Sequence, residues 1–186
     1  TDAEKLKSLG LPVILTDLQL LSLLQQSDLQ DCSIELSMSQ LRRFAFRRRV
    51  SQQSNYTQFT LPKKTGGERL ITAPTAALKI IQRRIVEHIL SNIPTHKAAH
   101  GFVSGCSIRS NAEPHTQAAV VVNMDLKNFF PTITGNRVRG LFRSFGYSVA
   151  IATILSLICT RPDVSAFELD GQNWYFYEGT DLLPQG

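Results

Sequence analysis

The spacing of apolar residues predicts a chain built mainly of short helices. The clearest pattern follows Pro74, where four apolar residues recur at i, i+3, i+7 and i+11 and so share one face of a helix. These residues are Leu78, Ile81, Ile85 and Ile89. Further helices are predicted at residues 16–24, 37–49, 135–145 and 148–159, the third of them ending at Gly146.

Shorter segments rich in β-branched and aromatic residues predict strands between these helices. Residues 56–61 and 69–72 form one predicted hairpin, whose tip carries two lysines and two glycines. Residues 167–169 and 174–177 form a second. The nearly continuous apolar run at 118–124 predicts a strand covered on both faces, which ends at Asp125. Helices and strands in this order indicate an α+β fold, with an ordered loop at 96–115 that contains one short helical turn.

Composition adds limits on the setting of the protein. The 186 residues are 42% hydrophobic, which is enough for a buried core. Three cysteines without paired spacing argue against a disulfide framework or a zinc site, and favour a reducing, cytoplasmic setting. No apolar run approaches the roughly 20 residues that span a bilayer, so no membrane partner is expected.

The charge of +5 is distributed unevenly along the chain. Residues 42–84 carry eleven Lys and Arg against one acid, whereas residues 1–41 carry a net charge of −4. Aromatic residues lie between these basic residues, a combination that favours a nucleic acid because it serves phosphate neutralisation and base stacking. The alternative is a solvated basic face. The residues predicted to bind nucleic acid are Arg42, Arg43, Arg47, Arg48, Arg49, Lys79, Arg83 and Arg84.

Two segments could carry chemistry. Asp125, at the end of the predicted strand, would suit a metal site, although a lone Asp in this position is more often a turn or cap residue and Mg²⁺ needs further oxygen ligands. The hairpin tip, with Lys63, Lys64 and returning Arg69, could hold a polyphosphate or could be a solvated turn.

Six blocks in a fixed order resemble the bacterial retron-type reverse transcriptases over residues 56–186. They are Phe59-x-Leu61-Pro62-Lys63-Lys64-x-Gly66-Gly67-x-Arg69-x-Ile71-x-Ala73-Pro74; Leu78-Lys79-x-Ile81-Gln82-Arg83; Ala99-His100-Gly101-Phe102-x-x-Gly105-x-Ser107-Ile108; Asn111-Ala112-x-x-His115; Asn123-x-Asp125-Leu126-x-x-Phe129-Phe130-Pro131-x-Ile133; and Leu183-Pro184-Gln185-Gly186. The Asn111 and His115 block is similar to the retron enzymes in particular.

The resemblance implies the fingers and the first half of the palm of a right-hand polymerase. Residues 1–50 would be a helical N-terminal region, 51–118 the fingers, and 119–186 the first half of the palm. Asp125 would be a catalytic ligand of two Mg²⁺ ions, with the backbone carbonyl of Leu126 as a further ligand. The incoming dNTP would be bound by Lys63, Lys64, Arg69, Asn128, Phe129, Phe130, Gln185 and Gly186.

Other roles implied by the resemblance are more specific. Phe130 would be the steric gate that rejects ribonucleotides. Asn111 and His115 would organise the RNA or the loop, or His115 would be a structural histidine. His96 and His100 have HxxxH spacing, but without helical context a metal role for them is disfavoured.

The resemblance also implies partners and a missing half. The partners would be a structured noncoding RNA as template and primer, an RNA–DNA hybrid, dNTPs, and a defence effector protein acting against phage. In the family, a Tyr-x-Asp-Asp hairpin with two further catalytic aspartates and a thumb follow the Leu-Pro-Gln-Gly block. The 186 residues alone are therefore expected to be catalytically incomplete and to need the remaining polymerase half. The alternative is a non-catalytic RNA-binding module derived from a reverse transcriptase.

Overall fold

The computed structural model describes residues 1–26, 36–62 and 66–185. It divides into two compact units, Thr1–Asn92 with Asn128–Gly186, and Ile93–Lys127. Helices and strands are both present, as predicted. The helices are α1 (Ala3–Ser8), α2 (Asp17–Gln25), α3 (Met38–Ala45), α4 (Ala76–His88), α5 (Ile108–Ala112), α6 (Gly135–Phe145) and α7 (Val149–Cys159), and the strands are β1 (Val50–Ser51), β2 (Tyr56–Pro62), β3 (Glu68–Pro74), β4 (Arg161–Leu169) and β5 (Gln172–Leu182).

Helix α7 lies at the centre of the first unit. It is apolar on nearly all sides, and it packs against α3, α4 and α6. A helix of that composition is stable in water only when it is surrounded by other elements. Its residues Ile151, Leu155 and Ile158 are fully buried. The apolar face of α4 meets the same core, because the four residues predicted to point inward are all buried: Leu78, Ile81 and Ile85 on the helix, and Ile89 directly after it.

Two antiparallel sheets complete this unit. One has the order β1-β5-β4 and the other is the β2-β3 hairpin. The turn between β4 and β5 consists of Asp170 and Gly171, both with positive φ, so that Leu169 pairs with Gln172. This is the two-residue Asp-Gly turn that favours a hairpin, and the second predicted hairpin is confirmed.

Among the described residues, no helix is both long enough and apolar enough to cross a membrane. Cys106 and Cys159 are free thiols, and Cys32 lies outside the described residues. Burial raises the pKa of the Cys159 thiol to about 12, so it is protonated at neutral pH and is neither a nucleophile nor a ready metal ligand.

Gly146 ends α6 in a left-handed conformation that glycine adopts more easily than any other residue. Its φ is 117°, and a Cβ at this position would lie 2.9 Å from the backbone oxygen of Asp2. We expect Gly146→Ala to lower the free energy of unfolding by about 2 kcal/mol, because the left-handed conformation costs an L side chain about 1–2 kcal/mol and the contact adds to it. Urea unfolding of the purified chain measures the change.

Gly140 in the same helix is the matched control. A Cβ there meets nothing within 4 Å. Gly140→Ala should therefore stabilise the chain by up to about 1 kcal/mol through helix propensity. Equal effects of the two substitutions would contradict the packing assigned to Gly146.

Candidate nucleotide and RNA site

The β2-β3 hairpin presents its predicted nucleotide-binding half to solvent. Tyr56 and Thr72, near the base, are buried, whereas Arg69 near the tip is exposed and pairs across the hairpin with Leu61. The tip turns at Gly66 and Gly67, which have φ of 88° and 81°. Lys63 and Lys64, the other predicted phosphate ligands, lie outside the described residues. Arg69 is thus in a position from which its guanidinium can reach an anion.

The Leu-Pro-Gln segment is fixed to this hairpin by backbone hydrogen bonds. The amide of Thr72 donates to the carbonyl of Gln185 at 3.0 Å, and the amide of Leu183 donates to the carbonyl of Ile133 at 2.9 Å. Residues 183–185 therefore connect strand β3 to the segment that carries Phe129 and Phe130. Gly186 lies outside the described residues.

Phe129 and Phe130 stand at a sharp turn before α6. Asn128 has a positive φ of 54°, and a 3₁₀ turn begins at Phe130. The two rings meet edge to face, with centroids 5.7 Å apart, and about half of Phe129 is exposed. The Thr132 hydroxyl donates to the Phe129 carbonyl at 2.6 Å and stabilises the turn. Both rings are therefore held by local backbone structure.

Asp125 and Leu126 belong to the other unit, and both are exposed. The predicted strand at 118–124 is wrong in this structure: the segment is in neither described sheet, and Val120, Val122 and Met124 are more than 70% exposed. A strand needs a neighbouring strand to pair with, and no described strand pairs with this segment.

The fit of these residues to Mg²⁺ is partial. Asp125 offers one carboxylate and Leu126 one carbonyl, whereas Mg²⁺ requires octahedral coordination with more oxygen ligands. Within the described ranges, no group of three or more His, Cys, Asp or Glu side chains could hold a metal ion. The described residues do not form a complete magnesium site by themselves.

The predicted retron-type positions lie on and after α5, in the unit Ile93–Lys127. Ser107 caps this helix by accepting a hydrogen bond from the amide of Ser110. Asn111 and His115 are exposed. His100 lies with Nδ1 3.1 Å from the Ser110 hydroxyl, and His96 Nδ1 accepts from the Ala98 amide. His96 and His100 thus each have one local hydrogen-bonding partner, at Nδ1.

Six of the eight predicted RNA-binding residues are exposed: Arg42, Arg43, Arg48, Arg49, Lys79 and Arg83. The structure does not support RNA contact by the other two. Arg84 is only 3% exposed and donates to the carbonyl of Leu24. Arg47 is turned inward, because α3 ends at Ala45 and does not continue to residue 49 as predicted.

Arg47 has an internal function that its sequence position did not reveal. Its guanidinium donates to the carbonyls of Phe44, Leu157 and Thr160, at the C-terminal ends of α3 and α7. Such carbonyls lack helical partners, so one cation satisfies the ends of two helices. Arg47 Nε also lies 2.6 Å from Asp181 Oδ1, and both side chains are 11% exposed.

Tyr177 completes this buried network. Its hydroxyl donates to Asp181 Oδ2 at 2.8 Å. Burial, together with the bond to Asp181 and its charge, raises the pKa of Tyr177 to about 12, so the hydroxyl keeps its proton at neutral pH. The network anchors the strand end that leads into residues 183–185. No sequence signal pairs Arg47 with Asp181, because 134 residues separate them.

Comparison with known proteins adds sequence relationships to this geometry. The chain is 43% identical to the retron Mx162 reverse transcriptase of Myxococcus xanthus over 154 aligned residues. This alignment covers 83% of the chain and 32% of that protein. It is 37% identical to the retron Mx65 reverse transcriptase of the same organism, covering 83% of the chain and 36% of that protein. It is 32% identical to the retron Ec86 reverse transcriptase of Escherichia coli, covering 83% of the chain and 45% of that protein.

The chain therefore spans less than half the length of these curated relatives. No family model matches the chain.

Proposed function

Because the chain is homologous to a portion of the retron reverse transcriptases, we propose that it is the nucleotide-binding and RNA-binding part of an RNA-directed DNA polymerase. The observation that carries this proposal is the relationship over 83% of the chain to three enzymes of that kind. In this proposal the first unit contributes the fingers and part of the palm. The substrates are dNTPs and a structured noncoding RNA that serves as template and primer, and the setting is cytoplasmic.

The exposed hairpin and its connections support the proposed nucleotide site. Arg69, with Lys63 and Lys64, binds the triphosphate through charge-assisted hydrogen bonds. Gln185 and Gly186 line the pocket of the incoming base, and Phe130 excludes the 2′-hydroxyl of a ribonucleotide by steric conflict. The hydrogen bond from Thr72 to Gln185 supports this assignment, because it fixes the Leu-Pro-Gln segment to the strand that carries Arg69.

Asp125 and the Leu126 carbonyl supply part of a magnesium site, and bound Mg²⁺ would stabilise the charge that develops on the reacting oxygens. Because no group of three or more His, Cys, Asp or Glu side chains among the described residues could hold a metal ion, we infer that another part of the complete protein supplies the remaining carboxylates. The exposed apolar segment 118–124 is consistent with that requirement, since it would gain strand partners from the same additional polypeptide.

Primer extension tests the proposal. The complete protein that carries this chain should extend a DNA primer on an RNA template with dNTPs and Mg²⁺, whereas the purified 186-residue chain should not. Product from the chain alone would contradict the incomplete metal site. A complete protein that binds RNA and makes no DNA would favour the second candidate function, a non-catalytic RNA-binding module, which the exposed arginines of residues 42–49 also support.

A defence role with an effector protein is a further part of the proposal. Its support is the family relationship alone. Loss of phage protection on deletion of the gene that encodes this chain, restored by the intact gene, would test it.

A further inference from the structure

A groove lies in the first unit, and its lining does not include the Leu-Pro-Gln segment. Its volume is about 1140 Å³. We name it the α3 groove, because its walls are helix α3, the segment 46–55 that follows, and strands β4 and β5. Pockets for single small molecules span roughly 300–1,000 Å³, so this groove has room for a chain-like ligand.

The charge of the α3 groove is positive. Arg42, Arg43 and Arg48 line it, against one lining carboxylate, Asp17, which lies 3.8 Å from Arg42. Among the described residues, neither Arg43 nor Arg48 forms a salt bridge with an acidic side chain. Arg47 also lines the groove, but Asp181 neutralises its charge. The exposed guanidinium groups therefore favour an anionic ligand.

Aromatic side chains stand among these charges. Phe46, directly after α3, is 72% exposed, although it is large and apolar. Tyr175 and Tyr177 of β5, which are two residues apart and therefore on the same face of the strand, are half-buried and also line the groove. Stacking of a base on an aromatic ring stabilises a bound single strand by about 1–3 kcal/mol per base, and it requires an unpaired base. The alternation of rings and guanidinium groups fits a single strand better than a duplex.

The uncharged polar side chains of the α3 groove favour RNA over other polyanions. Ser39, Gln53 and Asn55 line the groove, and the Gln53 side chain is exposed to solvent. Amide and hydroxyl groups can both donate to and accept from a 2′-hydroxyl, which DNA lacks. An acidic peptide would use the arginines and would leave the aromatic rings without stacking partners.

We propose that the α3 groove binds a single-stranded segment of RNA, at a site separate from the proposed nucleotide site. This inference rests on the proposed function for the source of the RNA. Phe46 and Tyr175 stack on bases, and Arg43 and Arg48 neutralise phosphates. The groove would hold an unpaired part of the template RNA while the remainder is copied.

Binding of fluorescein-labelled oligouridine, about twelve nucleotides long, to the complete protein tests this site. Phe46→Ala should weaken binding about tenfold, and its exposure makes a folding defect small. The Arg43→Gln, Arg48→Gln double variant should reduce the slope of log affinity against log salt by about 1.4, since each phosphate contact on a single strand contributes about 0.7. Phe167→Ala and the Arg137→Gln, Arg143→Gln double variant are matched controls outside the groove lining, and should bind like wild type.

Cross-linking locates the contact. Oligouridine that contains 4-thiouridine should cross-link to peptides covering residues 46–55 and 174–177. Cross-links found only elsewhere, or Phe46→Ala binding within twofold of wild type, would overturn the proposal. Equally strong competition by oligodeoxythymidine, or by a polyglutamate peptide of equal charge, would also overturn it, and would favour a DNA or an acidic protein partner instead.

A second assay separates this inference from the proposed function. Primer extension by wild type on a short, preannealed RNA–DNA duplex reports the polymerase activity without the groove, because that substrate has no long single strand to bind. If wild type makes no DNA and the Phe46→Ala variant binds RNA more weakly than wild type, the polymerase proposal fails and the groove proposal stands. If wild type makes DNA and Phe46→Ala binds RNA normally, the groove fails alone.

Discussion

Asp125→Asn is expected to reduce primer extension by the complete protein about a thousandfold, which corresponds to about 4 kcal/mol in the activation free energy. Asparagine keeps the size of the side chain and one oxygen, but it removes the negative charge that a divalent cation prefers in its ligands. Asp125 is exposed and forms no salt bridge within the described ranges, so its replacement should leave folding unchanged. The rate of DNA synthesis under saturating dNTP measures the effect.

Glu113→Gln is the matched control, because Glu113 is another exposed carboxylate of the same unit. It should retain full activity. RNA affinity of both variants should equal that of wild type, which separates a catalytic defect from a binding defect. Retention of more than a tenth of the activity by Asp125→Asn would contradict the role proposed for this residue.

Elements formed by neighbouring residues could be predicted from the sequence. Helix α4 follows from its apolar period, and the β4-β5 hairpin follows from Asp170 and Gly171, because the turn brings the partner strand within a few residues. The segment 118–124 has an equally strong apolar pattern, yet it forms no described strand. A strand there would need a partner from a distant part of a polypeptide, and composition does not report whether such a partner is present.

The arginines of residues 42–49 illustrate the same limit for a candidate site. Arg47 and Arg48 are adjacent and chemically identical. The Arg47 side chain is buried against the C-terminal ends of α3 and α7, whereas the Arg48 side chain is exposed. Phe46, with an extended backbone (ψ 133°), ends α3, and Arg47 directly after it points inward. Charge counting alone therefore identified the basic region and overestimated its free surface.

Arg47→Ala is the second substitution with a large expected effect, a loss of about 3 kcal/mol in the free energy of unfolding. Among the described residues, it would leave the buried Asp181 with the Tyr177 hydroxyl as its one remaining side-chain partner, and three helix-end carbonyls would lose the Arg47 donor. Removal of one partner from a buried ion pair typically costs about 3–5 kcal/mol, and the 11% exposure of both side chains favours the lower end. Urea unfolding of the purified chain measures the change.

Arg42→Ala is the control for loss of an arginine as such. Arg42 lies 3.8 Å from Asp17, and its side chain is 73% exposed, so its removal should cost no more than about 1 kcal/mol. A double-mutant cycle with Asp181→Ala isolates the pair: the double variant should be less destabilised than the sum of the single variants, because neither charge is then left alone. Additive effects would mean that Arg47 stabilises the fold through the helix-end carbonyls and not through Asp181. Asp181 lies shortly before Gln185, whose carbonyl accepts a hydrogen bond from the Thr72 amide. An interaction energy between Arg47 and Asp181 would therefore also link the stability of the core to the geometry of the proposed nucleotide site.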